Sequence, residues 1–188
     1  NFGTGALGDM GCHLIDIPFK ALGLKYPTDV ECSIGSIFTK MWSADYYPEG
    51  CPPSSSVSMH FDATEKNNSP IQMTWSDGGI KPFHPDLLPA EVSIEDNGVI
   101  MIGDKGVIVC DAYGNDPKLY RKGEPVLEGE KVKISEPEFG HQRQWVDACK
   151  AGFNSSEHKS LTSSFDYSGP LTETVLMGNI AIRSYMLQ

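Results

Sequence analysis

The chain has 188 residues, enough for one sizeable domain that buries a core without disulfide or metal staples. Hydrophobic residues make up 39% and charged residues 21%, with 19 Gly and 13 Pro, a composition that excludes a fibrous or disordered chain. Asp and Glu outnumber Lys and Arg by 25 to 15, and the net charge of −10 argues against nucleic acid or an anionic membrane as the main partner.

Residues 6–22 predict a helix, and residues 30–39 predict a strand after the turn Tyr26-Pro27-Thr28. Residues 44–55, with Tyr46, Tyr47, four Pro/Gly breakers and two serines, read as a loop. Val57, Met59 and Phe61 alternate with Ser58, His60 and Asp62, and Ile71, Met73 and Trp75 repeat the pattern, so the two segments predict a hairpin. Asp77-Gly78-Gly79 ends it, and the Pro-rich stretch 80–91 reads as a surface loop. Gly103-Asp104-Lys105-Gly106 predicts a compact turn between Val99–Ile102 and Val107–Cys110. Leu119-Tyr120 and residues 132–134 each predict a short strand. Ser135 and Glu138, with Pro137 between them, form a capping box for a helix that carries Phe139, Trp145, Val146 and Cys149 and ends near Gly152. A Ser-rich loop then leads through Ser168-Gly169-Pro170 into a last helix. Strands in a block with helices at the ends predict an α+β domain with an open, predominantly antiparallel sheet and helices packed on one face. No apolar run is long enough to span a bilayer.

Five scattered cysteines, odd in number and without a CxxC pair, speak against a disulfide framework or a Cys-rich zinc site. They read as free, mostly buried thiols in a reducing, cytoplasmic compartment. The chain begins without Met and ends inside a predicted helix, so it reads as a piece of a longer protein, with an upstream targeting segment left open. The triplets Asn67-Asn68-Ser69 and Asn154-Ser155-Ser156 match the glycosylation pattern, which is too short to carry weight.

Gly3-Thr4-Gly5-Ala6-Leu7-Gly8 matches the dinucleotide fingerprint, with Asp29 and Glu31 some twenty residues on. The fingerprint requires an apolar strand before it, and only Asn1 and Phe2 precede it. The run therefore reads as a glycine turn entering a helix.

That helix holds the residues best suited to chemistry. At 100° per residue, Asp9, His13, Asp16 and Lys20 fall within roughly 60° of arc, beside a stripe of Met10, Leu14, Ile17 and Ala21 expected to face the core. Asp9 and His13 are one turn apart and can touch one substrate. Histidine is the side chain most easily poised near neutral pH, and a neighbouring carboxylate can orient it or hold a hydroxyl. The plain alternative is a solvated face with Asp16 and Lys20 as an i,i+4 pair. Pro18 removes the bond to the Leu14 carbonyl and is expected to kink or end the helix. His60 and His84 read as structural or surface residues. His141 opens the capped helix one turn before Trp145 and is a weaker candidate for the pocket. Tyr46 and Trp75 are candidates to stack on a sugar, though aromatics more often anchor cores and loops.

The run Gly3-Thr4-Gly5-Ala6-Leu7-Gly8-Asp9-Met10-Gly11-Cys12-His13-Leu14-Ile15-Asp16 resembles the DxGxHxxD segment of the glucose–fructose oxidoreductase / inositol dehydrogenase / MocA family. Tyr26-Pro27-Thr28-Asp29-Val30-Glu31, Trp75-Ser76-Asp77-Gly78-Gly79-Ile80-Lys81-Pro82 and Phe165-Asp166-Tyr167-Ser168-Gly169-Pro170-Leu171-Thr172-Glu173 look like one bacterial branch of it. The resemblance covers nearly the whole chain and implies that residues 1–188 correspond to the family's C-terminal substrate-binding and oligomerisation domain, of the glyceraldehyde-3-phosphate-dehydrogenase-like type. The N-terminal Rossmann domain, its bound NAD or NADP and its EKP lysine are then expected outside this chain. By the same resemblance Asp9 and His13 match the catalytic pair, with Asp16, His141, Tyr46 and Trp75 as weaker substrate-binding candidates and no metal.

The implied reaction is hydride transfer between a sugar or polyol carbon and nicotinamide, with these 188 residues inactive alone. Implied partners are a small sugar or polyol, the chain's own Rossmann domain and further copies of itself through the open sheet face. Two alternatives stand beside it: a domain of an NAD-dependent glycosidase that oxidises its sugar transiently, and a non-catalytic sugar-binding or assembly module. Relatives in this branch are sometimes exported, so a periplasmic location is the alternative to the cytoplasm.

Overall fold

A computed structural model describes residues 3–130 and 140–188. The chain divides into two compact units, one comprising Asn1–Gly129 with Leu171–Gln188 and the other Glu130–Pro170.

The first unit opens with two short helices, α1 (Gly5–Leu14) and α2 (Asp16–Leu22). Among the described residues nine strands follow: β1 (Asp29–Ile34), β2 (Ile37–Lys40), β3 (Ser43–Asp45), β4 (Ser55–Phe61), β5 (Ile71–Ser76), β6 (Val99–Ile102), β7 (Val107–Cys110), β8 (Lys118–Tyr120) and β9 (Leu127–Glu128). The second unit holds α3 (Gly140–Ala151), α4 (Ser156–Lys159) and the start of α5 (Phe165–Met186), within which the division falls. The class is α+β, and every strand pairing among the described residues is antiparallel. Hydrogen bonding groups the strands as β1-β4-β5, as the β2-β3 hairpin and as β6-β7-β8-β9. No described helix is long and apolar enough to cross a membrane.

Alternation in the sequence becomes burial in the structure. Val57, Met59 and Phe61 of β4 are all within 3% of full burial, while the residues between them stay half exposed. β5 pairs with β4 in the expected hairpin, and Trp75 lies opposite Val57. The β6–β7 hairpin turns at Gly103–Gly106 as its spacing predicts. Beneath it Val107 and Tyr120 form a second core with Leu88, supplied by the irregular stretch before β6.

Several expectations are corrected. The helix over 6–22 is interrupted at Ile15, because Pro18 has no N–H for the Leu14 carbonyl; helical bonds resume from Phe19 N–H to Ile15 O at 3.0 Å. The strand over 30–39 breaks at Gly35-Ser36, where the Gly35 N–H turns to Ser54 O at 2.9 Å. The loop over 44–55 begins inside β3. The last helix starts at Phe165, not after Pro170; the proline sits inside it and forgoes one backbone bond. Residues 132–134 and the capping box at Ser135–Glu138 lie outside the described residues, and the strand that pairs with β8 is β9. Among the cysteines only Cys110 is buried; Cys32 and Cys51 are half buried, Cys12 and Cys149 are exposed, and all five are free. Burial raises the thiols of Cys32, Cys51 and Cys110 above their ordinary pKa.

The stripe of α1 that faces the core is also corrected. Leu7 is 1% exposed and Gly11 is buried, whereas Met10, Leu14 and Ile17 are half exposed and Ala21 is exposed. Glycine carries no hydropathy signal, yet its missing side chain is what admits the neighbour. A Cβ on Gly11 would meet Val175 of α5 at 3.2 Å, and a Cβ on Gly178 would meet Leu7 at 2.6 Å, Met59 at 3.0 Å and Val57 at 3.3 Å. α1, α5 and β4 therefore meet with no spare volume. Thr174, fully buried, adds a bond from its hydroxyl to Lys25 O at 2.9 Å.

This contact makes a double-mutant prediction. Gly178→Ala is expected to destabilise the chain by about 1–3 kcal/mol, outweighing the gain of about 1 kcal/mol in helix propensity. Leu7→Ala is expected to cost about 2–5 kcal/mol. The double variant should be less destabilised than the sum, because the new methyl occupies the space Leu7 vacates. Urea unfolding of the four proteins checks this; strict additivity would show that the two residues do not share that space.

Candidate functional site

Asp9 and His13 sit on α1 on the side away from its buried residues. Leu7 and Gly11 flank Asp9 at a distance of two residues, and Gly11 lies two before His13; two residues turn the helix by about 200°. Burial of Leu7 and Gly11 therefore directs Asp9 and His13 outward, and both are exposed. Asp9 and His13 thus face away from the core, whereas Asp16, half buried, stays at its edge. Among the described residues the Asp9 carboxylate has no hydrogen bond or ion pair, so its acceptor positions are open to a ligand. Asp16, the first residue of α2, is half buried and interacts within the protein.

One further residue reaches this face from far along the chain. The Tyr113 ring meets the His13 ring edge-on, with centroids 5.5 Å apart and planes at 69°. Tyr113 is carried by the turn 111–116 after β7, which is tied together by Asp111. One Asp111 oxygen accepts from the Asn115 N–H at 2.7 Å and the Tyr113 N–H at 2.8 Å, and the other accepts from the Asn115 side chain at 3.1 Å. These bonds, from Asn115 first and then Tyr113, hold the Asp111 carboxyl below its ordinary pKa. Gly114, at φ +77°, takes a conformation that a side chain would strain, and its open side lies 3.5 Å from Ile17 of α2. Ala112 points inward and is 8% exposed. Sequence reasoning missed Tyr113: its partner is a hundred positions away, and only the Asp–Gly–Asn turn chemistry around it is legible locally.

The remaining candidates lie elsewhere. Trp75 is 9% exposed, and its indole N–H donates to Asp77 at 2.8 Å, so it is committed to the core. The same Asp77 carboxylate accepts from the Ser55 N–H at 2.6 Å and the Ser55 hydroxyl at 2.7 Å, tying β5 to β4. Tyr46 packs edge-on against Tyr185 of α5, with centroids 6.3 Å apart. His141 is an exposed residue of α3, in the second unit. His60 pairs with Asp29 at 2.6 Å, and His84 bonds Val92 O at 2.9 Å, both structural ties. The His60 hydrogen bond lowers the Asp29 pKa.

A groove of about 650 Å³ runs between β1 and α5, lined by Thr28, Val30, Cys32, Met177, Ile180 and Tyr185 among others. A smaller hollow of about 140 Å³ lies by Thr4, Leu7, Cys51, Ser55 and Asp77. Neither is lined by Asp9 or His13. The described residues hold no cluster of three His, Cys, Asp or Glu side chains able to bind a metal.

The glycine run does not fit a dinucleotide. The Cys51 thiol donates to Gly3 O at 3.2 Å, and a Cβ on Gly5 would fall 2.6 Å from that sulfur, so the run is packed on Cys51. The phosphate cradle also needs a parallel βαβ unit, and the described pairings are all antiparallel.

No protein-family model matches the chain, and no curated protein matches it in sequence. Its fold is similar to that of UDP-N-acetylglucosamine 3-dehydrogenase from Acidithiobacillus ferrooxidans, with a TM-score of 0.51 and 11% identity. The match covers 92% of this chain and 45% of that one, so this chain corresponds to less than half of that enzyme's length. At this identity the likeness is one of fold.

The Asp111 turn can be tested directly. A depressed carboxyl pKa means that its hold on the turn is complete above the ordinary Asp value and is lost as pH falls through the lowered one. The Tyr113 and Asn115 amide resonances are expected to titrate with a midpoint below that of an ordinary Asp, and Asp111→Ala is expected to abolish this titration together with the nuclear Overhauser contact between Tyr113 and His13. Survival of that contact in Asp111→Ala would show that the turn does not place the ring.

Proposed function

We propose that this chain is the substrate-side domain of an NAD(P)-dependent oxidoreductase acting on a sugar or polyol, with the dinucleotide bound outside these residues. The observation that carries this reading is an exposed carboxylate and an exposed imidazole one helical turn apart, on a helix anchored behind them by Leu7 and Gly11. The likeness in fold to a sugar-nucleotide dehydrogenase, and the length of that enzyme left unmatched, support it. In this reading Asp9 accepts a hydrogen bond from the substrate hydroxyl and polarises it. His13 takes up the hydroxyl proton as the carbon is oxidised, and returns it in the reverse direction. Asp16, at the start of the next helix, orients that face and does not touch substrate. Exposure of the pair on this chain leaves room for a second domain to close over it and exclude water. Residues 1–188 thus supply the acid–base groups and the oligomer contacts, and are inactive alone.

The test is His13→Ala in the longer protein that carries this domain. Turnover is expected to fall by roughly 10²–10⁴-fold, the contribution of a positioned acid–base group, with cofactor affinity unchanged. Unchanged turnover would remove His13 from the mechanism.

A further inference from the structure

The sequence leaves open whether the substrate is a cyclic sugar or an open-chain polyol; the ring beside His13 bears on that choice. Tyr113 remains 67% exposed even though one part of it contacts His13. A tyrosine left so open is ordinarily on a mobile loop tip, but this one is on a braced turn. Asp111 binds the turn with three hydrogen bonds from within it, Ala112 is buried, and Gly114 rests on Ile17. The turn therefore fixes the backbone that carries the phenol, and the edge contact with His13 is what the ring itself rests on, so binding has only the ring's remaining side-chain freedom to order. Two consequences follow from geometry. An aromatic ring set edge-on at 5.5 Å restricts the tilt of the imidazole. The rest of the aromatic surface faces solvent next to the imidazole, where an apolar ring face can lie against it.

We infer that Tyr113 is a positioning and specificity residue of the Asp9–His13 site, and that the turn 111–116 forms a second wall selecting a cyclic sugar over an open-chain polyol. The C–H face of a sugar ring is flat and apolar and matches an aromatic surface. A flexible polyol chain presents no such face and loses more conformational freedom on ordering. This inference rests on the proposed function, since it assigns the ligand class of that same site. The phenol oxygen has no role in it; the ring has.

The experiment uses the 188-residue chain with Tyr113→Phe and Tyr113→Leu, each first shown to fold by circular dichroism. The His13 ring-proton resonances report the aromatic ring current. They are expected to be the same in wild type and Tyr113→Phe and to move to solvent-like positions in Tyr113→Leu. Saturation-transfer spectra are then recorded with glucose, N-acetylglucosamine and myo-inositol as cyclic probes, and with glucitol and mannitol as open-chain probes. Wild type and Tyr113→Phe are expected to favour at least one cyclic probe over both open-chain ones, and Tyr113→Leu to weaken that probe by about tenfold, the order an aromatic contact supplies. Equal binding of the two classes, binding of neither, or undiminished binding by Tyr113→Leu would each overturn the inference. If His13→Ala abolishes turnover in the longer protein while Tyr113→Leu leaves cyclic binding intact, the inference falls and the proposed function stands. Turnover unaffected by His13→Ala removes the proposed function itself, whatever the Tyr113 variants do.

Discussion

Leu7 and Gly178 occupy one another's space. The Leu7 methyl lies 2.6 Å from where a side chain on Gly178 would begin, and Met59 and Val57 of β4 close in at 3.0 and 3.3 Å. A helix from the start of the chain, a helix from its end and the central strand of a three-stranded sheet are thereby locked at one point. Interiors packed to this density do not deform continuously, so the rotation of α1 about its own axis is fixed. That rotation decides what faces outward. With Leu7 and Gly11 inward, Asp9 and His13 have only the outer surface, and a small change in how α1 seats would sweep both across the protein face.

The polar face is thus a consequence of packing behind it, and the second half of the site follows the same logic with different means. Tyr113 is not held by a core. It is held by a carboxylate that gathers the N–H groups of its own turn, with a glycine in the left-handed region allowing the chain to close against Ile17. One wall is braced by apolar contact and the other by charge-assisted hydrogen bonds. The first is insensitive to pH, and the second depends on an ionised Asp111. His13 stands where they meet. A face braced in this way needs little reorganisation to meet a ligand.

Much of the fold was legible because its signals are local. The β4–β5 and β6–β7 hairpins follow from two-residue alternation bounded by turn residues, and the break before α2 follows from one missing N–H at Pro18. The site was legible in part. The i,i+4 spacing of Asp9 and His13 places them together on any helix, but hydropathy does not give the direction of that face. Met10, Leu14 and Ile17 look like a core stripe by hydropathy, whereas the buried stripe runs through Gly11, whose contribution is an absence of atoms. Trp75 could not be told from a sugar platform by composition; its indole bond to Asp77 is a tertiary fact. Tyr113 joins His13 across a hundred residues of chain, and no periodicity records such a contact. The short α4, whose Ser155 cap accepts from the His158 N–H at 3.1 Å, is too brief to leave an apolar pattern.

The central claim is that the face bearing Asp9 and His13 is where substrate reacts. The most direct test is a crystal structure, with a bound sugar, of this chain joined to the dinucleotide-binding domain proposed for it. The account predicts one ring hydroxyl oxygen within about 3 Å of both the His13 imidazole and the Asp9 carboxylate. A sugar seated instead in the groove between Val30 of β1 and Ile180 of α5, with the α1 face bare, would contradict it.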